Sequence, residues 1–177
     1  MVNQLPVQSR TVDILQLWQY LNAIMTTAIV SRNSSRPKTK RIERDQISLD
    51  ELAAMPDAVA VEALQLGLPS RLARDLAVRL GLPVEAMATP LQLTIRTFHR
   101  RLQEGTLAFA ESERLFAWAR ILNRAIAVLG DETKAVHWLR SPVRALDSKA
   151  PLDCAQTWIG IRQVEAVLGR IEDGVYS

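Results

Sequence analysis

Apolar residues recur at three- and four-residue intervals through most of the chain, which is the spacing of amphipathic helices. The first such stretch, about Thr11 to Val30, predicts a helix with one broad apolar face. A Ser-rich, basic segment from Ser31 to Arg44 follows and is typical of a linker. We therefore expect an N-terminal extension over residues 1–47, with the natural start at either Met1 or Met25.

From Ser48 onward the pattern predicts short helices separated by capping and helix-breaking residues. The predicted N-caps are Ser48 (with Glu51 as a capping box), Ser70, Thr94, Asp131 and Thr157. The predicted spans include Arg71–Leu80, Pro83–Ala88, Ile95 to a stop at Gly105, Glu111–Leu129, a helix after Asp131 that stops at Ser141-Pro142, and a short helix from Pro151 through Ala155. We expect an all-α protein.

Composition supports that fold class and bounds the kind of protein. Hydrophobic residues make up 48% of the 177 residues and aromatic residues only 5%, enough for a core but unlike a β-sandwich. The apolar stretch from Val12 to Val30 carries Asp13 and several amides, which disfavours a membrane span. No secretory signal is recognised, and the single Cys154 rules out an internal disulfide. A soluble, cytoplasmic protein without membrane association is expected.

The residue types needed for catalysis or metal binding are sparse. His99 and His137 are the only histidines, and neither lies in a recognisable signature with Cys154. We therefore predict no catalytic residues, no metal site and no cofactor. A small helical hydrolase or transferase is the least favoured hypothesis.

The segment after Thr94 is the strongest local signal of function. Residues 67–104 hold six Lys/Arg against three Asp/Glu, whereas residues 48–66 hold none against four. Ile95, Phe98 and Leu102 share the predicted apolar face of the helix. The outward residues are Arg96, His99, Arg100 and Gln103. A short helix, a turn and a basic amphipathic helix are typical of a helix-turn-helix, although a basic face can also be merely solvated.

If the helix binds DNA, its residues have distinct expected roles. Thr94 and the helix N-terminus would hold a phosphate, and Arg96, Thr97 and Arg100 would reach bases or phosphates. Arg101 would be a phosphate ligand or an intramolecular partner.

The tryptophans in the helices have a simpler interpretation. Trp118, Trp138 and Trp158 lie among apolar neighbours and are expected in the core. Trp138 is the exception that could instead face a partner, since it lies just before Ser141-Pro142.

Five blocks in order resemble a known family. They are LGLP, RTFHRRLQEGTL, the long ESERLFAWARILNRAIAVLGDETKAVHWLRSPVRAL, PLD and the terminal RIEDGVYS. From roughly Val61 to Ser177 the chain resembles the Xre/MbcA/ParS-type antitoxins of type II toxin-antitoxin systems. The resemblance implies a helix-turn-helix over residues 48–110, a toxin-binding domain over 111–177, and a partner toxin of the RES fold that consumes NAD or transfers ADP-ribose.

The resemblance also implies particular site residues. On the DNA side they are Arg96, Thr97, His99, Arg100 and Arg101, beside Thr94. On the toxin side they are Trp138, Gly174, Val175, Tyr176 and Ser177, and we add Arg140 as a nearby residue. Two segments depart from the family pattern: Pro90-Leu91-Gln92 replaces a Gly-containing turn before the basic helix, and Asp147-Ser148 with Ala150 replaces Gly-Gly and Thr before the Pro-Leu-Asp segment.

These expectations combine into one functional prediction. The chain is an antitoxin that occludes the active site of a RES-domain toxin and represses its own operon by binding operator DNA as a homodimer or a higher hetero-oligomer with toxin. The alternative is a stand-alone helix-turn-helix regulator whose C-terminal helices serve oligomerisation or partner binding.

Overall fold

The computed structural model describes residues 46–174. The predicted helix at Thr11–Val30, the linker at Ser31–Arg44 and the tail residues 175–177 lie outside the described residues. Within residues 46–174 the chain forms helices and no strand, so the all-α prediction is confirmed. The α-helices are α1 (Leu49–Ala54), α2 (Asp57–Gln65), α3 (Arg71–Arg79), α4 (Ile95–Glu104), α5 (Phe109–Leu129), α6 (Glu132–Arg140), α7 (Pro151–Cys154) and α8 (Trp158–Glu172). Two 3-10 segments lie at Val84–Ala88 and Arg144–Leu146.

Side-chain caps start several of the helices where the sequence predicted them. At α1 the Ser48 and Glu51 pair forms a capping box, in which the Glu51 backbone N–H donates to Ser48 Oγ at 3.2 Å and the Ser48 N–H donates to Glu51 Oε2 at 2.7 Å. Thr94, Asp131 and Thr157 accept a backbone N–H at α4, α6 and α8 in the same way. These predicted caps are confirmed.

Two local predictions were wrong. Ser70 makes no side-chain cap on α3; the residue is buried in a helical conformation, and its backbone N–H donates to the Gly105 carbonyl 3.1 Å away. That tertiary contact fixes Ser70 in a conformation in which its hydroxyl does not cap. The predicted helix Pro83–Ala88 is a 3-10 segment, Val84–Ala88, since the stretch is too short for several α-helical hydrogen bonds.

The hydrophobic core is centred on α5. This helix packs against α1, α2 and α3 on the N-terminal side of the chain and against α6 and α8 on the C-terminal side. Trp118 and Leu122 are buried on it, and the buried apolar residues from Leu49 to Leu168 form one cluster. The predicted domain boundary at residues 110/111 falls at the start of this shared helix. Among residues 46–174, no helix is long and apolar enough to cross a membrane.

Candidate functional site

The predicted basic helix exists as α4, and its ends are locally determined. Thr94 Oγ1 accepts the Thr97 backbone N–H at 3.2 Å, and the two hydroxyl oxygens lie 2.9 Å apart. Gly105 ends the helix at a φ of 78°, a left-handed conformation that favours glycine. The predicted DNA-binding residues from 94 to 101 therefore lie together on one regular element.

The buried side of α4 differs from the predicted one at its first residue. Phe98 is fully buried, whereas Ile95 is 58% exposed, so the expectation that Ile95 faces inward was wrong. At 3.6 residues per turn, Ile95 lies about 60° around the helix from Phe98 and one turn earlier. Periodicity assigned it to the apolar stripe, but it lies at the edge of that stripe, where the described residues leave most of it uncovered.

Two adjacent arginines on α4 have opposite environments. The Nε of Arg101 lies 2.8 Å from a carboxylate oxygen of Glu111, and its Nη1 lies 2.8 Å from Glu104. Hydrogen bonds to Glu104 and Glu111 raise the pKa of Arg101 above its ordinary value. Arg100 is exposed, and its one ion pair within residues 46–174 is to Glu104, at 3.7 Å. This geometry favours the intramolecular role for Arg101 and leaves Arg100 available.

The outward face of α4 carries two arginines and a histidine that have few partners within the described part of the chain. Within residues 46–174 the Arg96 guanidinium forms no ion pair or hydrogen bond. His99 is exposed, with its Nε2 3.9 Å from a carboxylate oxygen of Glu85. Together with Arg100 they give this face the chemistry of an anion-binding surface, and phosphate contacts supply much of the affinity in DNA binding.

The turn before α4, where the sequence departs from the Gly-containing pattern, has a left-handed residue. Gln92 adopts a φ of 54°, a left-handed value that is strained for a side chain other than glycine. Its side-chain Nε2 donates to the Gln156 carbonyl 3.2 Å away, between α7 and α8. The turn is thus tied to the C-terminal helices. The 3-10 segment before it packs against both α3 and α4.

The start of α8 is held tightly against α7. A Cβ placed on Gly160 would lie 1.7 Å from the Cys154 carbonyl oxygen, so no larger residue fits there without backbone movement. The Gly160 N–H donates to the capping hydroxyl of Thr157 at 3.1 Å. This close approach fixes the direction in which the first residues of α8 point.

Those first residues form an exposed apolar pair. Trp158 is 47% exposed and Ile159 is 64% exposed. The expectation that Trp158 belongs to the core was therefore wrong, although Trp118 is buried as predicted. Sequence reasoning did not single out Ile159 because its apolar side chain fits a helical core pattern equally well; only the packing of α8 shows that it faces outward.

Arg114 links the exposed pair to the central helix. Its guanidinium lies over the Trp158 ring, 5.5 Å from the ring centroid, and its Nη1 donates to the Gln156 carbonyl at 3.3 Å. The Gln156 carbonyl therefore accepts from both Gln92 and Arg114. The indole is held in place while part of its surface stays open.

The predicted toxin-binding residues lie on two elements. Trp138 is half-buried against the core at the end of α6, and Arg140 is exposed with its Nη1 3.4 Å from the Gly81 carbonyl. Gly174 is exposed just beyond α8. Val175, Tyr176 and Ser177 lie outside the described residues.

Comparisons with known proteins bear on the C-terminal part of this arrangement. Residues 124–174 match the sequence model of the Antitoxin Xre/MbcA/ParS C-terminal toxin-binding domain. The match begins within α5 and runs through α6, α7 and α8. The exposed pair of α8 therefore lies within the matched domain.

Three curated relatives are named Antitoxin Xre. The relative from Yersinia enterocolitica is 26% identical over 128 residues, which cover 71% of this chain and 86% of the relative. The relative from Photorhabdus laumondii is 32% identical over 48% of this chain and 59% of its own length. The relative from Pseudomonas putida is 35% identical over 46% of this chain and 52% of its own length.

The matched domain and the names of the relatives support the class of toxin-neutralising antitoxins. Together, the domain match and the named relatives support an Xre/MbcA/ParS-type antitoxin, and the resemblance found in the sequence is confirmed. The matched domain and the relatives are named for toxin binding and antitoxin function, in agreement with the expectation that the chain is not an enzyme.

Proposed function

We propose that this chain neutralises a cognate RES-domain toxin by occluding its active site, and represses its own operon by binding operator DNA through a helix-turn-helix that ends in α4. The match of residues 124–174 to a toxin-binding domain carries the first half of the proposal. The RES fold of the toxin, with its NAD-consuming or ADP-ribosylating chemistry, rests on the family resemblance in the sequence.

The toxin contact would run along the outward face of α8 into the tail. Trp158 and Ile159 expose apolar area at the start of the helix, where Gly160 fixes their position. Aromatic anchors of this kind dominate many protein interfaces, whereas scattered polar contacts contribute little. The pair would therefore supply affinity, and the predicted residues Trp138 and Arg140 would add contacts from α6.

To occlude the toxin's nucleotide-binding cleft, the chain needs a group that reaches beyond the anchoring pair of Trp158 and Ile159. A 15-residue α8 is about 22 Å long at 1.5 Å per residue, and the tail from Gly174 to Ser177 follows its far end. A toxin contacted at both ends would cover the length of the helix, which suits an interface of standard size. Tyr176 would be the blocking side chain, because it offers a large ring with few rotamers and a polar hydroxyl.

The DNA contact would use the outward residues of α4. Arg96 and Arg100 lie one turn apart on the exposed side and would reach bases or phosphates, with His99 beside them. Thr94 and Thr97, at the start of α4, would contact the phosphate backbone of the DNA. One short recognition helix covers few base pairs, so repression would need a homodimer or a hetero-oligomer with toxin.

The experiment that tests the neutralising role is co-expression of the full chain with the reading frame next to its gene, scored by growth and by co-purification. Growth rescue with a stable complex is the expected result. A chain that lacks residues 175–177 should still co-purify but should rescue growth poorly, because the anchor remains and the blocking segment is lost.

Two outcomes would contradict the proposal. Full rescue by the shortened chain would remove the tail from the mechanism. Neither rescue nor complex with the full chain would refute neutralisation of that neighbour and favour a stand-alone DNA-binding regulator.

A further inference from the structure

An isoleucine lies at the first position of α4 with most of its side chain outside the core. Ile95 is 58% exposed, while Phe98, one turn later on the same helix, is fully buried. The Thr94 cap and the Thr97 N–H fix the backbone on either side of it. Ile95 is thus an exposed apolar side chain on a backbone segment whose conformation is fixed.

The surroundings of Ile95 favour a polyanion over an apolar protein partner. The exposed neighbours on the helix include Arg96, His99 and Arg100, and the one acidic residue of α4, Glu104, lies at its other end. The cores of protein interfaces are depleted in charge, whereas DNA interfaces are strongly positive. A single exposed isoleucine within a cationic face fits the second kind of surface.

The chemistry of the side chain limits what it can recognise in DNA. Residues at the N-terminus of a recognition helix contact base edges in the major groove. Isoleucine has no hydrogen-bond donor or acceptor, so it cannot read the polar groups of any base. The apolar feature of the major groove is the 5-methyl group of thymine.

We infer that Ile95 is a specificity-determining residue that reads a thymine through its 5-methyl group. The inference rests on the proposed binding of DNA by α4 and adds the identity of one base to it. Arg96 and Arg100 would supply phosphate or guanine contacts beside that thymine, so the site would combine polar and apolar readout within the first two turns of α4.

The test uses a duplex of the region directly upstream of the chain's own gene. The segment that the bound chain protects from nuclease cleavage is mapped first. Each thymine in that segment is then replaced in turn by deoxyuridine, which removes the methyl group and leaves the hydrogen-bonding edges intact. Binding by the full chain is measured at constant salt. A dimer would contact two DNA half-sites. In each half-site, one replacement should weaken binding about fourfold, which is the effect of one buried methyl group.

The variants Ile95→Ala, Ile95→Val and Val78→Ala assign that effect to one side chain. Ile95→Ala should bind the thymine and deoxyuridine duplexes equally, and Ile95→Val should keep part of the difference. Val78 is 72% exposed on α3, so Val78→Ala is a matched loss of exposed apolar surface and should keep the full difference. Thermal unfolding checks that each variant is folded.

The possible failures are distinguishable. If the wild-type chain binds the duplex but no deoxyuridine replacement matters, or if Ile95→Ala retains the difference, the reading of thymine by Ile95 is refuted while DNA binding stands. If the wild-type chain binds the upstream duplex neither alone nor in complex with its toxin, the proposed DNA binding fails and this inference fails with it.

Discussion

The outward faces of α4 and α8 are built in opposite ways. The face of α4 carries arginines with few partners, and one of them, Arg96, has none within residues 46–174. The face of α8 begins with Trp158 and Ile159, which are apolar and fixed by the close packing of Gly160. A positively charged surface suits a polyanion, whereas a rigid apolar surface suits a protein partner.

The two faces are nevertheless parts of one folded body. The Gln92 side chain joins the turn before α4 to the Gln156 carbonyl, and Arg79 pairs with both Asp50 and Glu132, on α1 and α6. These carboxylates raise the pKa of Arg79 above its ordinary value. The difference between the faces therefore lies in their side chains, and substitutions should separate them.

The largest expected effect comes from Gly160→Ala. The added methyl group would lie 1.7 Å from the Cys154 carbonyl oxygen, so α7 and α8 must move apart. We expect a loss of about 3 kcal/mol in the free energy of unfolding, with weaker toxin binding. Chemical denaturation measures the loss. Gly130→Ala is the control: Gly130 has a φ of 76° and open space around it, so only backbone strain of about 1 kcal/mol is expected. If both variants lost the same free energy of unfolding, close packing at Gly160 would not be what holds α8 against α7.

Trp158→Ala should weaken toxin binding by about 2 kcal/mol, or roughly 30-fold in the dissociation constant, because the indole is the largest exposed apolar group of the matched domain. Affinity for operator DNA should not change. Titration of purified toxin measures the first effect. Val61→Ala is the control. Val61 is 50% exposed and lies outside the matched residues 124–174, so its truncation should leave both affinities unchanged. Wild-type toxin affinity in Trp158→Ala would exclude this face as the anchor.

The neighbouring substitutions Arg100→Ala and Arg101→Ala should separate binding from stability. Arg100→Ala should weaken operator binding by about 1–3 kcal/mol with unchanged thermal stability. Arg101→Ala should lower the free energy of unfolding by about 1–3 kcal/mol, since it leaves the Glu111 side chain, only 9% exposed, without its cation. Binding curves at matched salt and denaturation curves measure the two effects. A reversed pattern would overturn the roles assigned to these two arginines.

The smallest effect is expected for Gln92→Gly. Glycine relieves the strain of the left-handed backbone, but the substitution removes the hydrogen bond to Gln156 and gives the unfolded chain more freedom. These contributions oppose one another, so stability should stay within about 1 kcal/mol of the wild type. A loss above about 2 kcal/mol in denaturation would show that the link to Gln156 matters more than the strain.

The sequence predicted what is decided locally. The caps at Ser48, Thr94, Asp131 and Thr157 depend on residues three positions apart, and the stops at Gly105 and Gly130 depend on one backbone conformation. Such features can be read without knowledge of the rest of the fold. The all-α class followed from them.

The sequence did not predict what distant neighbours decide. Ile95 and Trp158 both fit a helical apolar stripe, yet in the fold Ile95 is 58% exposed and Trp158 is 47% exposed. Ser70 looked like a cap, but its backbone N–H is bonded to Gly105, thirty-five positions along the chain. The partner of Arg101 was left open because only the placement of the start of α5 relative to α4 brings Glu111 to it.

The most direct test of the account measures two affinities in parallel, for purified toxin and for operator DNA, with three forms of the full chain. The forms are the wild type, Trp158→Ala/Ile159→Ala and Arg96→Ala/Arg100→Ala. We expect the first double variant to lose toxin binding alone and the second to lose DNA binding alone, with all three forms equally folded. If either folded double variant loses both affinities, or if neither loses any, α4 and α8 are not the two separable binding surfaces of this protein.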